Sequence, residues 1–71
     1  MPAEPANVEP PKHPMHAMTT FELRDYRRQL ESAIAFFDRQ TTQPPARARL
    51  QRALDEVLAE QEDRARLAAN A

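Results

Sequence analysis

The stretch MTTFELRDYRRQLESAIAFFDR, Met18–Arg39, decides how this chain folds. Thr19 is followed three residues later by Glu22, the spacing of a capping box. In that device the Thr hydroxyl accepts from the Glu22 N–H, and the Glu22 carboxylate reaches back to the Thr19 N–H. Met18 and Leu23 stand at N′ and N4, where a hydrophobic staple closes over the helix start. Downstream, Leu23, Tyr26, Leu30, Ala33 and Phe37 recur at spacings of 3, 4, 3 and 4, with Ile34 on the flank. At about 100° per residue these positions fall within a single arc, so the pattern predicts an amphipathic helix over residues 20–39.

Outward from this helix, residues 40–43 are polar and Pro44-Pro45 follows. Proline suits the first position of a helix, where its missing N–H costs nothing. A second helix is therefore predicted over residues 45–69. Its stripe is Ala46, Leu50, Ala53, Leu54, Val57, Gln61 and Ala68, with Leu58 at the margin. Two amphipathic helices with a short connection imply an all-α antiparallel hairpin. In that arrangement Phe37 meets Ala46 and Leu50, Leu30 and Ile34 meet Ala53 and Leu54, and Tyr26 meets Val57 and Leu58. Gln61 breaks the apolar stripe. It reads as a helix end where burial has faded, a polar register device of the coiled-coil kind being the alternative.

On the N-terminal side, residues 1–17 hold five of the seven prolines. Proline lacks a backbone donor and drives its predecessor out of the helical region. Residues 1–18 are accordingly expected to be a disordered, Pro-rich tail, with residues 19–71 as the helical hairpin. The block MTTFEL reads as a start of its own, which would make the tail dispensable. Two P-x-x-P strings, Pro2–Pro5 and Pro11–Pro14, match a polyproline ligand only as any Pro-rich tail does.

Composition excludes whole classes of chemistry. The 71 residues include no Cys and no Gly, and the formal net charge is −1. Without Cys there is no disulfide framework and no thiolate metal site. Without Gly there is no Gly-rich phosphate loop, and hairpin turns lose their usual residue. No apolar run exceeds the five residues Ala33–Phe37, far short of the ~20 that span a bilayer. No apolar core follows a basic start, so no secretory signal is expected. The nine Arg to one Lys and the thirteen Ala suggest a GC-rich, bacterial coding sequence. A cytoplasmic protein without membrane contact is the expectation.

Catalytic candidates are lacking, and no enzyme is expected. Both His residues lie in the tail, and Ser32 has no base at a recognisable spacing. Within HPMHAM, residues 13–18, imidazole and thioether could serve copper(I). The segment has no preformed site, and neither a metal nor a cofactor is expected.

The apolar content carries the functional reading. Between Thr19 and Ala71 there are eleven Leu, Ile, Val or Phe residues. So few, in two helices with no disulfide or evident metal to assist, point to completion by association. The hairpin is expected to dimerise into a four-helix bundle or to dock on a larger protein. The core and interface candidates are Leu23, Tyr26, Leu30, Ile34, Phe36, Phe37, Leu50, Leu54, Val57 and Leu58. Phe36 and Phe21 project away from the stripe, and a two-helix contact should leave both in water. Phe36 would then serve as an aromatic anchor for a partner.

Charge offers a second reading. Arg39, Arg47, Arg49 and Arg52 flank the connection and the start of the second helix, a candidate phosphate or partner patch. A nucleic-acid-binding regulator using this patch is the alternative function. The acidic block Asp55, Glu56, Glu60, Glu62 and Asp63 argues against a long polyanion, while Glu60–Arg64 and Glu62–Arg66 read as i,i+4 pairs on a solvated face. An antiparallel dimer could instead set the basic half of one helix against the acidic half of another.

Overall fold

The structure, a computed structural model, describes residue 8, residues 11–40 and residues 44–70. Three elements follow in order: a 3-10 turn Met15–Ala17, helix α1 Thr20–Asp38 and helix α2 Pro45–Ala69. The described residues contain no strand.

Helix α1 starts as its local chemistry requires. The Thr19 Oγ1 accepts from the Glu22 N–H at 3.1 Å, and the Thr19 N–H donates to Glu22 Oε1 at 2.8 Å. Two donors that the helix start would leave orphaned are thus satisfied. Met18 and Leu23 are both buried and belong to the same apolar cluster, as the staple requires. At its far end, α1 closes without a left-handed residue. Arg39 stays in the right-handed region, its N–H reaching Phe36 O and Phe37 O, and no described residue takes a positive φ. Helix α1 therefore ends without glycine. Pro45 opens α2 at N1, and Pro44 precedes it in extended conformation. The observed bounds lie within one residue of those the pattern predicts.

The helices run antiparallel. Arg47 meets Asp38 near the connection, and Arg27 meets Gln61 toward the other end. Between them lies the core: Met18, Leu23, Leu30, Ala33, Ile34, Leu54 and Val57 are buried. Tyr26, Leu50 and Ala53 pack against this cluster half-buried. Leu58, expected in the core or interface, is exposed at its margin, at 37%. Its place at the edge of the stripe turns it outward. Phe37 is half-buried outside the central cluster.

Order reaches further back than Thr19. Of the tail expected over residues 1–18, residues 1–7 and 9–10 lie outside the described residues. Of the remainder, Met18 is buried, Val8, Pro11 and Met15 are half-buried, and residues 12–14, 16 and 17 are exposed. The Ala17 N–H donates to Pro14 O at 2.9 Å and the Met18 N–H to Met15 O at 3.2 Å, closing the 3-10 turn. Met15 and Val8 pack against the core. The Pro content did not prevent this, because a 3-10 turn after Pro14 needs no N–H from the proline itself. The apolar residues of this segment, Val8, Met15 and Met18, supply the burial that holds it.

No helix among the described residues is long and apolar enough to cross a membrane.

Candidate functional site

The two ends of the hairpin are built differently. At the end where α1 starts and α2 finishes, the 3-10 turn lies over the helices and is pinned by Arg64. The Arg64 Nη2 donates to Met18 O at 2.7 Å and lies 3.3 Å from His16 O and 3.5 Å from Met15 O. Its Nε pairs with Glu60 Oε2 at 2.9 Å. One guanidinium thus serves a fork of carbonyls and one carboxylate. The Glu60–Arg64 pair is not the solvated-face pair that its spacing suggested, because both side chains are largely covered. By contrast, Glu62–Arg66 is an open surface pair at 4.0 Å, where Arg66 also reaches Asp63 at 3.0 Å.

Gln61 is also placed differently from its reading as a faded helix end. It is half-buried, and its Oε1 accepts from Arg27 Nη1 at 3.0 Å. The Arg27 Nε stands 3.5 Å from Glu31 Oε2. A polar link across the helices favours one register, since a shifted pairing would leave Gln61 facing an apolar neighbour.

At the same end, His13 Nε2 lies 2.9 Å from Glu22 Oε2. The Glu22 carboxyl is pulled from its ordinary 4.5 down to about 2, chiefly by the Thr19 N–H and then by His13. Among the described residues no three His, Cys, Asp or Glu side chains are grouped to hold a metal ion. In the His13–Met18 string, one imidazole faces Glu22 and Met18 is buried.

The connection end carries the aromatic pair. Phe36 and Phe37 meet edge to face, with ring centroids 5.6 Å apart and planes at 71°. This geometry sets a positive ring edge against a negative face. Phe36 is half-buried rather than left in water, with the Phe37 ring beside it. Phe21 does stand in water, at 75% exposure, with the Arg24 guanidinium 5.9 Å from its ring centroid. Tyr26 lies on the half-buried flank, where burial first and Glu56 second raise its phenol above the ordinary 10.

The Arg patch around the connection is divided by its own partners. The Arg47 Nε donates to Asp38 Oδ1 at 2.7 Å. That bond holds the Asp38 carboxyl below its usual range and raises the guanidinium of Arg47. Arg39, Arg49 and Arg52 remain exposed. Arg47 therefore ties the two helices together through its Nε.

Arg24, Arg27 and Arg28 already stand within five residues on α1, and sequence reading did not single them out; only Arg64 had to be brought to them by the fold. Their common position depends on the antiparallel return of α2. No family model, no curated protein and no solved structure matches this chain.

Proposed function

We propose that this chain is a non-enzymatic association module, a helical hairpin completed by a second copy of itself into a four-helix bundle or by docking on a larger protein. One observation carries this reading: the hairpin is a single layer of helices, 46 × 23 × 16 Å along its principal axes. A helix with its side chains is about 10–12 Å across, and stable domains bury a core between at least two packed layers. Here the seam between α1 and α2 and the 3-10 turn over its end bury seven hydrophobic residues among those described. Tyr26, Phe36, Phe37 and Leu50 remain half-exposed and Leu58 exposed. Aromatic side chains in such positions are the usual anchors of a protein interface.

The test combines solution mass with helix content for the full chain. A folded dimer supports the reading, and so does a monomer that gains helicity only with a partner. A fully helical, stable monomer at micromolar concentration refutes it. Phe36→Ala should weaken association with little change in helix content; a large loss of helicity would assign Phe36 to the fold alone. Arg39, Arg49 and Arg52 supply the contrasting outcome. Binding to DNA or RNA that falls steeply with salt, and is lost in the triple Gln variant, would favour the regulator reading.

A further inference from the structure

An open cleft of about 670 Å³ lies between the N-terminal half of α1 and the C-terminal half of α2. Its volume falls in the range of small-molecule sites, roughly 300–1,000 Å³. The charge around it is one-sided. Arg24, Arg27, Arg28 and Arg64 line it, against the single carboxylate of Glu31. The chain as a whole is nearly neutral at −1, so this concentration is local.

The four arginines divide into two pairs. Arg27 is held by Gln61 at 3.0 Å and by Glu31 at 3.5 Å. Arg64 is held by Met18 O at 2.7 Å and by Glu60 at 2.9 Å. These two form a fixed inner wall. Arg24 and Arg28 make no ion pair with any described residue. They sit four residues apart on one helix, where like charges repel. This repulsion weakly disfavours the fold, and no ion pair among the described residues offsets it; Arg24 has the Phe21 ring, 5.9 Å away, beside it.

From this geometry we infer that the cleft is a binding site for a small phosphorylated organic molecule. Arg24 and Arg28 would grip the phosphoryl oxygens, and the fixed pair Arg27 and Arg64 would set the field. Guanidinium forks match the geometry of phosphate, and a doubly charged oxyanion meets two unpaired cations. Thr20 adds a hydroxyl to the lining, Gln61 an amide, and Leu23 and Ala65 apolar surface. The exposed Phe21 ring does not line the cleft but lies beside Arg24 at its edge, within reach of an aromatic body that extends from the phosphate. This inference is independent of the association reading, because binding is measured on whichever oligomer the chain forms.

The experiment titrates the full chain with inorganic phosphate and with phenyl phosphate at low salt, followed by calorimetry and by amide chemical shifts. Saturable binding of phenyl phosphate is expected, tighter than that of inorganic phosphate, with shifts centred on residues 20–31 and 61–65. The double variant Arg24→Gln/Arg28→Gln should weaken it roughly tenfold or more, with helix content unchanged. Arg24→Lys/Arg28→Lys should recover only part of the loss, because a point charge replaces a fork. Arg49→Gln/Arg52→Gln should bind as the parent does. Equal loss in both Gln double variants would overturn the assignment, as would shifts centred on the connection. Absence of saturable binding at millimolar phenyl phosphate would also overturn it. So would much tighter binding of a polynucleotide at the same arginines.

Discussion

Removing the Arg64 guanidinium should free the N-terminal turn from the helices. In the intact chain, Arg64 Nη2 reaches three carbonyls at 2.7, 3.3 and 3.5 Å. That nitrogen carries only two hydrogens, so the bond to Met18 O is the strong one and the other two share what remains. A hydrogen bond from a charged donor contributes about 1.5–3 kcal/mol, and the half-exposed site lies at the low end. In Arg64→Ala the Met18 carbonyl regains water, which reduces the loss further. Docking of the turn should weaken by about 1–2 kcal/mol. Exchange of the Ala17 and Met18 amides, which close the turn onto Pro14 O and Met15 O, should then accelerate about five- to thirtyfold. Amides in the middle of α1 should change far less. Arg64→Lys should fall between, because an ammonium can keep Glu60 but cannot fork to the carbonyls. Exchange of Ala17 and Met18 within twofold of the parent would refute the argument. The turn would then be held by Met15 and Met18 packing alone.

Further outcomes follow from the same geometry. Glu22 has a folded pKa near 2 against an ordinary 4.5, so its stabilising contribution is complete above about pH 4.5 and is lost as pH falls through about 2. Thermal unfolding followed by circular dichroism between pH 6 and 2 should show that decline, and Glu22→Gln should flatten it. Leu30 is fully buried, so Leu30→Asp should cost more than about 4 kcal/mol and abolish helix content and association together; a helical, associated variant would contradict the assigned core. A double-mutant cycle on Arg27→Ala and Gln61→Ala should give a coupling of about 0.5–1.5 kcal/mol in denaturant unfolding. Additive effects would mean that Gln61 plays no part in register.

Much of the fold was legible because its determinants act over short distances along the chain. The Thr19–Glu22 box, the Met18–Leu23 staple and Pro45 at N1 each act within a few residues, and all three stand where the sequence placed them. The central stripe was legible for the same reason: a period of 3.6 puts Leu23, Leu30 and Ile34 on one face whatever that face meets. Leu58 lay at the margin of its stripe, and margins are settled by the crossing of the helices rather than by the period. Phe36 looked solitary because periodicity ignores the i+1 neighbour whose ring meets it edge to face.

The antiparallel return of α2 decided the rest. Arg27 and Gln61 are 34 residues apart, and Arg64 meets the turn across 46 to 49 residues. No pattern read along the chain links such positions. Residues 11–18 illustrate the division most clearly. Proline forbids a regular helix there, which the sequence states by itself. Whether the segment packs depends on a donor and an apolar surface on α2, and those face it only once the hairpin has closed. The cleft of arginines arises in the same way: three come from α1, the fourth from α2, and only closure brings their charges within reach of one ligand.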